Sequence, residues 1–479
     1  MIATNPASPA RNTTVYVAQL AEQADLGTVR GVPRGPERRV AAWDLLESTA
    51  ARTQPALEGV LVQLKADGIV RDWHGVPLGN SMIVTIDRAR EQAFEQALHG
   101  TGLLRSLERD MLAPGWLPVP DALASPAQPM PELPTVGDEV GVPWNIGRIR
   151  ADRAWDRGVR GEGVTVGVLD TGIQATHASL RGAYRGTGIS HDYAWFDPSG
   201  STTIPTDMAD FGHGTAVASN IVGHTPKSQI GVAPGATLVA ATFGNPHQKP
   251  DDVTGTGMYA NALLAWQWML APTDSRGQNR DPRLGVDIIN NSWRIPPLAM
   301  FGVDGIEHDG TFDALGTALE QLDAAGILSV GGAGNEGEYG IGAAQMPTAS
   351  PFMLTAGATT KAGAPWRGSS HGPVRLPSGA SLLKPDVSAP GLRVPTAIGD
   401  GDRFYLDGMA TSIASPQVAG AAALIMSAYP QLEPYQVREL LQVGARDIGP
   451  PGVDMQSGWG VIDIDRSLDI AERRYGSIR

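Results

Sequence analysis

From about Pro143 onward the chain alternates near-continuous apolar runs with helical patterns, and few folds accept that alternation. Val164 to Leu169, Thr237 to Phe243, Val286 to Asn290, Ile327 to Gly331 and Phe352 to Ala358 are the runs. A strand that is apolar on both faces belongs inside a parallel sheet covered on both sides. The segments between supply the cover. Tyr259, Ala262, Leu263, Trp266, Met269 and Leu270 fall on one helical face, and Leu315, Leu319 and Leu322 on another. The expected class is therefore α/β, a mostly parallel sheet with helices on both faces over residues 141–479. In such a sheet, ligands sit at the carboxyl ends of the strands.

The first part of the chain reads differently. Residues 1–12 read as disordered. Residues 13–112 give the order β-α-β-β-α-β, a small α+β domain of ferredoxin-like type. Its first helix is read over Val40 to Gly68, with Leu57, Val60, Leu61 and Leu64 on one face. Pro55 is expected to break, kink or restart that helix. His74 and His99 read as surface residues. Residues 113–140 hold Pro114, Pro118, Pro120, Pro126, Pro129, Pro131 and Pro134 and read as a linker open to nicking.

Composition removes several classes of function. The chain has no cysteine, so disulfides, thiolate metal sites and cysteine nucleophiles are excluded. Its formal net charge is −13 with no basic cluster, which argues against nucleic acid as a partner. No apolar run reaches membrane-spanning length. The first twelve residues are polar and carry no signal-peptide core.

Four positions carry a possible chemistry. Asp170 ends the first buried run and is followed by Thr171 and Gly172, which puts a carboxylate at the carboxyl edge of the sheet. His213 lies between Gly212 and Gly214 and opens a small-residue helix. Asn335, in Gly332-Ala-Gly-Asn-Glu-Gly337, follows another buried strand. Ser412 stands at the start of an Ala- and Gly-rich helix, and Pro416 is read as part of the first turn. An N-cap serine and a turn asparagine are the ordinary readings of the last two. Together the four meet the needs of acyl transfer: a hydroxyl, an imidazole to take its proton, a carboxylate to orient the ring, and an amide to hold the oxyanion. The order Asp, His, Ser is one of the known arrangements.

The blocks Val168-Leu-Asp-Thr-Gly-Ile173, His213-Gly-Thr215, Gly334-Asn335, Lys384-Pro-Asp-Val-Ser-Ala-Pro-Gly391 and Ala410-Thr-Ser-Ile-Ala-Ser-Pro416 resemble the signature blocks of the subtilisin-like serine proteases. Pro143-Trp-Asn145, Ala194-Trp-Phe196, Trp268-Met-Leu-Ala-Pro272 and Asn290-Asn-Ser-Trp293 further resemble the bacillopeptidase F branch. The resemblance implies a serine endopeptidase with Asp170 as orienting acid, His213 as base, Asn335 as oxyanion donor and Ser412 as nucleophile. It implies a substrate cleft lined by Ser292, Trp293, Arg294, Gly332 and Gly334, with protein or peptide substrates. It also implies that residues 13–112 are an inhibitory propeptide that assists folding and is cut off autocatalytically, between about Arg109 and Val140. The chain is read as a monomer that needs no cofactor for chemistry. Calcium stabilises this family, but Asp251-Asp252 and Asp400 to Asp402 lack a convincing ligand spacing. Secretion is the implied location; retention in the cell and another export route are the alternatives.

Three positions depart from the family pattern. Ala410 stands where glycine is usual and is expected to crowd the turn or the leaving-group side. Gln417 stands where histidine is usual. Arg294 and Ile295 replace two glycines, and Arg294 is expected to narrow the cleft and favour acidic residues, or else to face solvent. Gln345, before Met346-Pro347, is placed near the pocket floor, and Glu336 at the pocket or on a solvated loop. A peptide-binding relative without activity and a peptide-ligating acyl transferase are the rival functions.

Overall fold

The computed structural model describes residues 12–110, 141–209, 212–225, 228–243, 258–293, 313–339, 346–375, 381–398 and 404–478. The expected disorder of residues 1–12 and the linker 113–140 therefore fall almost wholly outside the described residues. So do Arg294, Gln345, Asp251-Asp252 and Asp400 to Asp402.

Residues 12–110 build an antiparallel sheet of four strands. These are β1 (Thr13–Leu20), β2 (Val70–Val76), β3 (Ser81–Asp87) and β4 (Leu104–Arg109), in the order β2-β3-β1-β4. Helices α1 (Pro36–Ala66) and α2 (Glu91–His99) connect them in the β-α-β-β-α-β order. Tyr16, Leu57, Leu61, Met82, Ile86, Phe94 and Leu98 form a core of their own there. Pro55 neither breaks nor restarts the helix, because α1 runs on over 31 residues. Pro55 and Ala51, whose carbonyl loses its helical donor, both lie on the exposed side, where solvent replaces the lost bond.

The larger sheet is parallel and has seven strands. In chain order they are β5 (Thr165–Asp170), β6 (Trp195–Phe196), β7 (Thr237–Thr242), β8 (Ile288–Asn291), β9 (Leu328–Gly332), β10 (Met353–Thr359) and β11 (Val387–Pro390). Across the sheet the order is β11-β10-β9-β8-β5-β7-β6. The chain builds one side of β5 with β6 and β7, then crosses to the other with β8. That reversal leaves a crevice at the carboxyl ends of β5 and β8.

Helices cover both faces. On one lie α3 (His213–Val222) and α6 (Thr411–Ala428), in a cluster with Val166, Val168, Ile288, Val330 and Leu354. Every residue of α6 except Ser427 is buried. Its small residues permit this: a Cβ on Gly420 would come within 2.6 Å of Val232. On the other face lie α4 (Met258–Leu270) and α5 (Asp313–Ala324). They share one apolar cluster with Val15, Val17 and Ile83 of the N-terminal sheet and with Trp43 and Leu46 of α1. The N-terminal sheet, covered on one face by α1 and α2, thus has these two helices against its other face. Among the described residues, no helix is long and apolar enough to cross a membrane.

Candidate active site

Asp170 is the last residue of β5 and is fully buried. His213 begins α3, behind an N-cap Gly212 at φ 71°. The two meet: His213 Nδ1 lies 2.6 Å from Asp170 Oδ1. That contact requires two chain segments to touch. A Cβ on Gly214 would sit 1.9 Å from the Gly172 carbonyl oxygen, so only glycine at 214 lets the imidazole reach the carboxylate.

A second carboxylate stands behind the pair, and sequence reasoning missed it. Asp207 Oδ1 accepts from Thr171 Oγ1 at 2.7 Å. Asp207 Oδ2 accepts from the Thr215 amide at 2.7 Å and the Thr215 hydroxyl at 2.6 Å. Thr171 Oγ1 in turn accepts from the Gly214 amide at 3.0 Å. Asp207 therefore ties the loop after Asp170 to the helix that carries His213. The available signal was the pair of threonines, one after Asp170 and one two places after His213. Both present a hydroxyl and need an acceptor.

These charges act on the ring. Burial opposes a charged imidazole, but the Asp170 charge, its hydrogen bond and the Asp207 charge outweigh it and hold His213 above its ordinary 6.5. Asp207 is itself pushed up by burial; hydrogen bonds from Thr215 and Thr171 oppose this, and the Asp170 charge adds to it.

Ser412 is the second residue of α6 and is 8% exposed. Its hydroxyl donates to the Ser292 carbonyl at 3.2 Å. Pro416 is the sixth residue of the helix, not part of its first turn as the sequence suggested. It therefore deprives the Ser412 carbonyl of its normal donor. Ser292 Oγ takes that place, donating at 3.1 Å, and also pairs with Ser415 Oγ at 2.8 Å. Ser292 thus holds the first turns of α6 with its side chain.

Asn335 follows β9. Its Oδ1 accepts from the Thr411 amide and the Thr411 hydroxyl, each at 3.0 Å. With the carbonyl end held there, the Nδ2 end faces the other way, and two donors on one acceptor fix the assignment. Gly332 and Gly334 serve this contact. A Cβ on Gly332 would press on the Thr411 carbonyl at 3.0 Å, and Gly334 adopts φ 110° while its amide donates to Thr411 Oγ1 at 3.1 Å.

The other residues singled out in the sequence lie around this set. Trp293 is 3% exposed and packs among Phe243 and Trp266 on the α4 side of the sheet. Glu336 folds back on its own loop, where Oε2 accepts from the Asn335 amide at 2.8 Å and from Ser370 Oγ at 3.0 Å. Ala410 has φ −171°, an extended geometry that any residue adopts, so the backbone itself tolerates its methyl. Gln417 Nε2 donates to the Ile413 carbonyl at 3.0 Å and its Oε1 accepts from Asn145 Nδ2 at 3.2 Å, which makes it a buried strut. Beyond Asn335, a cleft of about 550 Å³ is lined by Gly337, Glu338, Trp366, Arg367, Ser369 and His371.

A buried Asp–His pair, a helix-start serine and an oriented amide lie at the carboxyl edge of a parallel sheet. Comparison with known proteins gives the family. The model of the Subtilase family matches residues 161–460, more than half of the chain. Bacillopeptidase F of Bacillus subtilis is 32% identical over 315 residues, 63% of this chain and 20% of that protein. Thermostable alkaline protease of Halalkalibacterium halodurans is 30% identical over 313 residues, 65% of this chain and 70% of the relative. Subtilisin DY of Bacillus licheniformis is 30% identical over 330 residues, 68% of this chain and 97% of the relative. The chain belongs to the subtilase family. It spans only a fifth of the length of bacillopeptidase F.

Proposed function

We propose that the chain is a serine endopeptidase made as a self-inhibited zymogen. The observation that carries the reading is the 2.6 Å contact between His213 Nδ1 and Asp170 Oδ1, which leaves Nε2 as the basic nitrogen. In this reading the Ser412 hydroxyl leaves the Ser292 carbonyl and gives its proton to His213 Nε2 as Oγ attacks the peptide carbonyl. Asp170 keeps the tautomer and stabilises the imidazolium. The oxyanion receives the Asn335 Nδ2 donor and the Ser412 amide at the helix start. His213 then returns the proton to the leaving amine, and water releases the acyl group by the same route.

Residues 12–110 act as the inhibitor. Asp110 accepts from the Tyr259 and Ala260 amides at 3.0 Å each and so caps α4, whose first turn lies on the carboxyl side of β7. Cutting between about Arg109 and Val140 would free the cleft. Secretion suits this reading.

A fluorophosphonate probe tests it. Wild type is expected to be labelled and Ser412→Ala is not. In parallel, mass spectrometry of purified Ser412→Ala should show an uncut chain. A labelled Ser412→Ala, or its maturation in isolation, overturns the assignment.

A further inference from the structure

One wall of the cleft beside Asn335 is fastened to the loop that carries that amide. The Gly337 amide donates to the Gly368 carbonyl at 3.0 Å, and the Ser370 amide to the Gly334 carbonyl at 2.9 Å. The two segments touch so closely that a Cβ on Gly337 would sit 2.3 Å from the Ser369 carbonyl oxygen. Trp366 folds over Gly368, where a Cβ would meet its ring at 2.2 Å. The half-buried indole lines the cleft with the nitrogen-bearing side chains of Arg367, His371 and Gln456. Gln456 brings in a third segment, the loop from Ile448 to Trp459. That loop also meets the cleft at Pro365, which a Cβ on Gly449 would touch at 3.6 Å.

The loop is braced by its own hydrogen bonds and carries an apolar face. Asp454 and Gly458 exchange both backbone bonds, at 3.1 and 2.9 Å. The Asp454 side chain accepts from the Gln456 and Ser457 amides at 2.6 and 3.0 Å. The Trp459 amide is tied to the Asp386 carbonyl at 2.9 Å. The Asp454–Gly458 bridge puts Val453 opposite Trp459, so the two side chains share one face, with Met455 on the turn between them. Val453, Met455 and Trp459 are 45%, 45% and 41% exposed. Among the described residues, no other seven-residue stretch exposes three large apolar side chains. Exposed apolar side chains scattered singly need no explanation, but a group held on one braced loop marks an interaction site.

The position of the face identifies its occupant. The cleft begins two residues beyond Asn335, the candidate oxyanion donor, and ends on the loop that bears the apolar face. A polypeptide that reaches Ser412 therefore has this surface beside it. An apolar face next to N–H-bearing side chains suits such a chain, which offers apolar side chains and backbone carbonyls along one extended segment. We propose that the cleft and the Val453–Trp459 loop form a holding site for extended protein substrate, away from the bond that is cut and selective for bulky apolar side chains. The use made of the held chain rests on the endopeptidase reading above; the binding itself does not. Because the loop is braced before substrate arrives, little ordering opposes binding. The site acts on ground-state binding, so it lowers KM for long unfolded proteins and leaves the chemical step alone.

The full chain is expressed, and the active product is assayed with β-casein, an unfolded protein, and with a short chromogenic peptide. Val453→Ser with Met455→Ser should raise KM for casein about tenfold with kcat unchanged, and leave both constants for the peptide within about twofold. Met455→Ser alone should give a smaller rise in the same direction, and it serves where the double variant fails to fold. Full-chain Ser412→Ala gives a second readout, since the loop is exposed with residues 12–110 in place. It should bind fluorescein-labelled casein, measured by anisotropy, and bind it about tenfold more weakly with the two loop substitutions. Equal casein constants in wild type and variants, or an equal loss on casein and the short peptide, overturns the proposal. So does a dimer in gel filtration that the substitutions dissolve, because the face is then an interface between copies. An inactive wild type whose Ser412→Ala form still binds casein through the loop would reject the endopeptidase reading and leave the holding site standing.

Discussion

The Ser292 hydroxyl donates to the Ser412 carbonyl at 3.1 Å, filling the vacancy that Pro416 makes one turn further along. The residue that carries the candidate nucleophile is therefore held from outside its own helix. Ser292→Ala should lower kcat about fivefold to tenfold with little change in KM. Pro416→Ala restores an amide donor to that carbonyl, so Ser292→Ala should cost much less in a Pro416→Ala background. Steady-state kinetics on a chromogenic peptide, as a double-mutant cycle, measure the coupling. Additive effects would reject this account of Ser292.

Thr411 holds the Asn335 carbonyl oxygen with both its amide and its hydroxyl. Asn335→Ala should lower kcat about a hundredfold to a thousandfold. Thr411→Val keeps the amide donor but removes the hydroxyl, and a smaller loss of about tenfold is expected, again in kcat. An equal loss in the two variants would mean that the hydroxyl alone orients the amide.

The charges behind His213 set the pH at which it is free to act as a base. Its protonation is favoured above the ordinary 6.5, so the acid limb of kcat/KM should lie above that value. Asp207→Asn removes one negative charge and should move the limb to lower pH. The protonated ring also adds stability, present below pH 6.5 and lost as pH rises through the folded value. A limb that does not move in Asp207→Asn would remove Asp207 from the electrostatics of the site.

Glu108 sits where β4 meets the start of α5. Burial pushes its carboxyl up to about 7, against hydrogen bonds from Ser106 and the Ala314 amide. A raised carboxyl favours the protonated state, so this residue should weaken the folded chain as pH rises from 4.5 to about 7. Thermal melts of Ser412→Ala with and without Glu108→Gln will show it. The Gln variant should have the flatter profile over that range.

Much of this was legible before any coordinates. A buried apolar run that ends in Asp170 has one place to put its carboxylate, and a histidine between two glycines at a helix start can be approached closely by another segment. The misreadings came from residues whose partners are remote in sequence. Pro416 looked like a first-turn proline because nothing nearby shows that Ser292, more than a hundred residues away, supplies the missing donor. Trp293 neighbours Ser292 in the chain, yet alternation along an extended segment sends it to the opposite layer. Asp207 escaped notice because its value lies in two hydroxyls that belong to separate motifs. The first helix was read from Val40 although α1 begins at Pro36, since only the folded partner reveals what the Arg38 and Arg39 guanidinium groups grip.

The apolar layer that Val15, Val17 and Ile83 share with Leu263, Leu315 and Leu319 has a consequence for biosynthesis. Translation delivers residues 12–110 first, and they hold a separate core of Tyr16, Leu61 and Phe94. The apolar sides of α4 and α5 are made later and lie against that earlier segment. A gene shortened at its 5′ end would send those helices into the cytosol with nothing to lie against, and the product should accumulate as inclusion bodies.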